Sequence, residues 1–116
     1  MTEAPPLAEA VDDTAADIAT MEIRGAATIA RAAAEAVAAQ AAETDAADPA
    51  AFERTMRAAG RRLYDTRPTA VSLPNALRYT LGRMQGDDVE TLRDSVLAAA
   101  TAFTDRGRAV RGRVGR

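Results

Sequence analysis

Ala26-Ala27-Thr28-Ile29-Ala30-Arg31-Ala32-Ala33-Ala34-Glu35-Ala36-Val37-Ala38-Ala39-Gln40-Ala41-Ala42-Glu43 takes eleven of its eighteen residues from alanine and holds neither proline nor glycine. Alanine is the best intrinsic helix former. Ile29, Ala33 and Val37 recur at the spacing of one helical face, which argues for an amphipathic helix rather than a strand. The helix is expected to open close to Arg24-Gly25-Ala26 and to run to about Glu43. Its small side chains allow neighbouring helices to approach closely, because interaxial distance follows side-chain size at the contact.

The same periodicity extends outward on both sides. Before this stretch, Leu7, Val11, Ala15 and Ile18 form one stripe with Asp12, Asp13 and Asp17 facing away, predicting a helix over about 7–20 that ends before Gly25. After it, Asp48-Pro49 is a start signal: a carboxylate accepts from free backbone donors and proline tolerates the first helical position. A third helix over about 49–65 then buries Phe52, Met56, Ala59 and Leu63, with Arg54, Arg57, Arg61 and Arg62 on the remainder. Arg67-Pro68 interrupts it. A fourth helix is expected from near Ser72 to Gly86, with Leu77, Leu81 and Met84 inward. Gly86-Asp87-Asp88 reads as a turn and a cap, and a fifth helix over about 88–106 shows Val89, Leu92, Val96, Ala99 and Phe103 at helical spacing. No stretch alternates apolar and polar residues long enough for a strand. The class is all-α, a bundle of about five helices over 7–105, behind a disordered 1–6.

The last stretch, 106–116, combines glycines and arginines without a periodic core face. It is expected to fray, as a linker cut short or sequence read past a break. Arginine-glycine segments bind backbone phosphates, but no aromatic is interleaved to stack on bases, so nucleic acid is not taken as a partner.

The chain's 116 residues suit one small domain. Phe52, Phe103, Tyr64 and Tyr79 are its only aromatics. At about 25 cal/mol per Å² of buried apolar surface, an alanine-lined interface contributes modestly, so marginal stability alone or stabilisation by a partner is expected. Cysteine and histidine are absent, which excludes disulfides, thiolate catalysis, sulfur-ligated metal and the commonest general base. Carboxylates and arginines are what remain for chemistry, and no metal or cofactor is expected. No apolar run approaches the roughly 20 residues that span a bilayer, and the start lacks the basic flank of a signal peptide; the chain reads as cytoplasmic, without a membrane partner. Every basic residue is arginine, a compositional background of high-GC coding. Residues 1–53 carry eleven acids against Arg24 and Arg31, whereas residues 54–116 carry thirteen arginines against six acids. Internal pairing or head-to-tail association is one account of this polarity, and a solvated, salt-adapted surface is the other.

Two segments bear on chemistry. Met21-Glu22-Ile23-Arg24-Gly25-Ala26-Ala27 sets an arginine and a glycine where one helix stops and the next begins. Free backbone donors at a helix N-terminus, the positive end of its dipole and a guanidinium fork together suit a phosphate. Thr66-Arg67-Pro68-Thr69-Ala70-Val71-Ser72-Leu73-Pro74-Asn75-Ala76-Leu77-Arg78-Tyr79 contains two prolines that stiffen the connection. Arg67 is thereby oriented, with Thr69, Ser72 and Asn75 as neutral hydrogen-bonding groups. On the residues alone, an interhelical turn and a capped helix start, each with a solvated arginine, remain the preferred accounts.

Together the segments resemble the paired signatures of the archaeal ribose 1,5-bisphosphate isomerases and the methylthioribose 1-phosphate isomerases. The same superfamily includes the alpha, beta and delta subunits of eukaryotic initiation factor 2B. Ile23-Arg24-Gly25-Ala26 and Thr66-Arg67-Pro68-Thr69-Ala70-Val71 match both signatures in order and spacing. The Ser72-Leu73-Pro74-Asn75-Ala76-Leu77-Arg78 continuation is closer to the ribose bisphosphate branch. The resemblance covers about residues 7–105 and implies that Arg24, Gly25, Ala26 and Ala27 contact substrate while Arg67 binds a phosphate.

The resemblance further implies conversion of ribose 1,5-bisphosphate into ribulose 1,5-bisphosphate, a step that channels nucleotide-derived ribose into carbon metabolism without metal or organic cofactor. In that family the reaction is carried by a cysteine and an aspartate of a C-terminal Rossmann-like domain, which this chain is expected to lack. No catalytic residue is assigned here, and inactivity alone is expected. The expected partners are the sugar bisphosphate and the missing catalytic domain or homologous subunits. The alternative implied by the translation factors is a non-catalytic interaction and regulatory module.

Overall fold

The computed structural model describes residues 7–23, 25–66 and 71–114, with side chains described through residue 106. Five helices follow one another: α1 (Glu9–Ala19), α2 (Ala26–Glu43), α3 (Pro49–Tyr64), α4 (Ser72–Gly82) and α5 (Val89–Val114). No strand occurs among the described residues. The expected all-α bundle of five helices is thus observed. No helix among the described residues is long and apolar enough to cross a membrane.

α2 is the centre of the bundle and packs against all four other helices. It buries Ile29, Ala30, Ala33, Ala34, Ala36, Val37 and Ala41, a far wider arc than the single stripe read from Ile29, Ala33 and Val37. The larger side chains come from the surrounding helices: Val11, Ala15 and Ile18 of α1, Phe52, Met56, Ala59 and Leu63 of α3, Leu73 and Ala76 of α4, and Val96 of α5 are all fully buried. Alanine on the central helix and bulk on its neighbours is how this core reaches close packing with few aromatics. Gly60 serves the same end. A Cβ there would lie 2.6 Å from Leu81 Cδ1, so α3 and α4 meet where one of them has no side chain.

Two polar ties set the register of α2. Gln40 is 2% exposed; its Oε1 accepts the Ala8 N–H at 2.7 Å and its Nε2 donates to Thr44 Oγ1 at 2.8 Å. An otherwise uncapped start of α1 is thereby satisfied from the interior. Half-buried Arg93 of α5 donates from Nε to the Ala41 carbonyl at 2.9 Å and from Nη2 to the Thr44 carbonyl at 2.7 Å. It thus satisfies carbonyls that the end of α2 leaves open, and brings positive charge to the negative end of the helix dipole. The guanidinium also lies 5.7 Å from the Phe52 ring centroid, tying in α3.

The cap residues behave as their chemistry requires. Asp48 Oδ1 accepts the Ala51 N–H at 2.8 Å with Pro49 in the first turn of α3. Asp88 Oδ1 accepts the Thr91 N–H at 2.8 Å while Thr91 Oγ1 lies 3.3 Å from the Asp88 N–H, a reciprocal box at the start of α5.

Two helix ends differ from the sequence expectation. α4 stops at Gly82 rather than Gly86, because Ser95 of α5 takes the Gln85 N–H at 2.9 Å and draws the connection away from the helix axis. Met84 still packs against the core, from the turn instead of the helix. α5 continues to Val114 rather than closing near 106; Gly107 and Gly112 each weaken a helix by about 1 kcal/mol relative to alanine, but neither blocks it as proline would.

Candidate functional site

The junction before α2 is assembled from the end of α1. Met21 takes a left-handed conformation (φ 67°), donating its N–H to the Ile18 carbonyl at 3.2 Å while the Ile23 N–H reaches the Asp17 carbonyl at 3.1 Å. These bonds close α1 and turn the chain at once toward α2. Gly25 follows with φ 92° and ψ 131°, a backbone state that L side chains rarely adopt. Among the described residues a Cβ at Gly25 would meet only Thr28 Oγ1, at 3.9 Å, so conformation rather than space calls for glycine.

α2 begins when the Gly25 carbonyl accepts the Ile29 N–H at 2.9 Å. Its start has no side-chain cap and no acidic residue in the first turn, in contrast to α3 and α5 with their Asp48 and Asp88 caps. Gly25, Ala26, Ala27 and Thr28 are all exposed. Among the described residues, the positive end of this helix therefore faces outward with no capping side chain and no acid in its own first turn to answer it. Of the sequence-derived candidates, Gly25, Ala26 and Ala27 come together here; Arg24 and Arg67 lie outside the described residues, as does Thr69.

Ala27 lines a cleft of about 680 Å³ that opens between three helices. α2 contributes Ala27, Ala30 and Arg31; α4 and the residue after it contribute Asn75, Arg78, Tyr79 and Arg83; α5 contributes Phe103, Thr104 and Arg106. The cleft thus joins the first turns of α2 to the part of α4 that continues the second motif segment. Its floor is aromatic, with the Tyr79 and Phe103 ring centroids 5.2 Å apart and tilted by 58°. The Arg83 guanidinium stacks 3.7 Å from the Tyr79 centroid and that of Arg106 lies at 5.6 Å, a cation–π arrangement that holds both charges at the rim.

Arg78 Nη1 is 3.4 Å from Asn75 Oδ1 and Arg83 Nη1 is 3.3 Å from the Tyr79 carbonyl. Among the described residues none of Arg31, Arg78, Arg83 and Arg106 has a carboxylate within 4.0 Å. The smaller hollow between α3 and α4, about 380 Å³, is different: its Arg57 and Arg61 are paired with Glu53 at 3.6 Å and Asp65 at 3.1 Å. Unanswered guanidinium groups beside an uncapped helix start suit a multiply charged anion. Among the described residues no carboxylate lines the cleft, and the chain has no histidine. Among the described residues no group of three or more acidic side chains is placed to hold a metal ion.

Sequence reasoning missed the rim. Arg78 and Tyr79 stood at the end of the second segment and Arg31 stands one turn beyond Ala27, on the same face. Arg83 and Arg106 had no local signal at all.

A model of the initiation factor 2 subunit family matches residues 22–116. The chain is 63% identical over 99 residues to the ribose 1,5-bisphosphate isomerase of Haloterrigena turkmenica, covering 85% of this chain and 30% of that protein. It is 57% identical over 105 residues to the ribose 1,5-bisphosphate isomerase of Haloferax volcanii, covering 88% and 32%. With the protein of the same name from Thermococcus kodakarensis the identity is 41% over 108 residues, covering 89% and 34%. The chain therefore spans about a third of the length of the curated relatives it matches. The resemblance read from the two segments is borne out, since the family match takes in both of them and α2 to α5: the chain belongs to the initiation factor 2 subunit family.

Proposed function

We propose that this chain supplies the phosphate-binding helical part of an aldose–ketose isomerase that converts ribose 1,5-bisphosphate into ribulose 1,5-bisphosphate. The observation that carries this reading is the uncapped start of α2, with Gly25 at φ 92° and Ala27 opening into a cleft whose four guanidinium groups have no carboxylate within 4.0 Å among the described residues. The ribose 1,5-bisphosphate isomerases among its relatives support the choice of substrate. In this reading Arg24 forks one phosphate, the backbone N–H groups of Ala26 and Ala27 receive it, and Gly25 lets it approach. Arg67 holds a phosphate from the second segment, with the rim arginines adding to the field.

Isomerisation moves a proton between the first two carbons of the sugar. With neither cysteine nor histidine, this chain binds without supplying the groups for that transfer, and binding alone does not accelerate the step. The proton-transfer groups are supplied by a further domain or a partner subunit.

Titration with ribose 1,5-bisphosphate at low salt, read by amide chemical shifts, tests the reading. Localised shifts at 25–27 and around Asn75 and Arg78, lost in Arg24→Ala and in Arg67→Ala, are expected. A folded sample with no shifts would sink the substrate-binding role and favour the non-catalytic interaction module.

A further inference from the structure

The polarity of charge in the sequence takes a definite form in the fold. Glu9, Asp13 and Asp17 are all exposed and lie at successive i, i+4 positions, a row about 12 Å long on α1 at 1.5 Å rise per residue. None of the three has an arginine within 4.0 Å among the described residues; only Asp12 on this helix is paired, with Arg62 of α3 at 3.4 Å. Like charges spaced four apart on a helix repel one another. An external cationic partner relieves that repulsion.

α1 packs on α2 and α3 and makes no contact with α4 or α5 among the described residues. The cleft lies across α2 from it, between α4 and α5. Among the described residues one molecule therefore carries an unpaired carboxylate row and an unpaired guanidinium rim on separate faces, and cannot bring them together itself. We propose that the arginine-rimmed cleft of one molecule takes the Glu9–Asp13–Asp17 row of a second copy, so that self-association and anion binding compete for one site. The competition rests on the anion-binding reading above; the contact between copies does not. Such a contact is heterologous, joining different surfaces of the two copies head to tail.

Sedimentation velocity on the full chain tests it. Concentration-dependent association is expected at low ionic strength and its loss in 1 M salt, where the screening length falls to about 3 Å. The double variants D13R/D17R and R78E/R83E should each weaken association about a hundredfold or more, since like charges then face one another. Mixing the two variants should restore a complex, because the intact cleft of one meets the intact row of the other; misfolding of either variant cannot produce that rescue. Added pyrophosphate should dissociate the wild-type assembly. A monomer at low ionic strength, association that survives both variants, or an assembly indifferent to pyrophosphate overturns the proposal. Bisphosphate-induced shifts in monomeric D13R/D17R, whose cleft is untouched, report separately on the anion-binding reading.

Discussion

Replacing Arg93 by alanine tests the idea that α2 is held in register from its C-terminal end. The side chain makes two charge-assisted bonds, 2.9 Å to the Ala41 carbonyl and 2.7 Å to the Thr44 carbonyl, and a longer contact to the Phe52 ring at 5.7 Å. Hydrogen bonds involving a charged group contribute about 1.5 to 3 kcal/mol each. Arg93 is only half-buried, so water replaces part of what is lost. The working figure is about 2 to 3 kcal/mol for both bonds and the helix-dipole interaction together. For a domain of this size that corresponds to a drop of roughly 6 to 12 °C in melting temperature. Urea unfolding followed by helical circular dichroism measures it, with Arg93→Met as the variant that keeps the stem and loses the bonds. The two variants should fall by similar amounts. A loss below about 0.5 kcal/mol in both, the range of ordinary surface substitutions, would show that solvent satisfies these carbonyls equally well and that the tie is incidental.

Gln40→Leu keeps the volume but leaves the buried Ala8 N–H without its acceptor, at an expected cost of about 1 to 3 kcal/mol; faster hydrogen exchange at Ala8 should accompany it, and a gain in stability would contradict the role assigned to the amide. Asp88 has its carboxyl held below the ordinary carboxylate range, chiefly by the Thr91 backbone N–H and then by the Thr91 hydroxyl, with desolvation opposing. Its contribution is therefore fully present above the unfolded value of about 3.9 and is lost as pH falls through the lower folded value. Asp88→Asn retains a cap that does not titrate, so its stability should fall less steeply below about pH 4 than that of the wild type. An unchanged acid limb would place the titration elsewhere.

The bundle was legible wherever local chemistry decided the outcome. Asp48-Pro49 announced α3, and Phe52, Met56, Ala59 and Leu63 at helical spacing are all fully buried. The end of α4 was not legible, because the Gln85 N–H is taken by Ser95, ten residues onward. Gln40 and Arg93 were equally silent: the first reads as one polar residue in an alanine run and the second as one arginine among fifteen basic residues, yet Gln40 reaches Ala8, 32 residues away, and Arg93 reaches Thr44 and Ala41, 49 and 52 residues away. At the site, an Arg-Gly pair between helices marked Gly25, and the backbone there has the positive φ that glycine serves. The cleft escaped because Arg31, Arg83 and Arg106 meet only through packing of α2, α4 and α5. In sequence they look like Arg57 and Arg61, which have carboxylates one turn away.

The small side chains of α2 also bear on how a change in one place is felt in another. Its alanine ridges are shallow, so the bulk that interlocks at its contacts comes from the neighbouring helices. Gln40 and Arg93 tie the helix near its C-terminal end, while Ala27 in its first turn lines the cleft. Ala27 stands thirteen positions before Gln40, about 20 Å along the helix at 1.5 Å per residue. A substitution at Gln40 or Arg93, neither of which lines the cleft, is therefore expected to shift the first turn of α2 against the cleft's other walls.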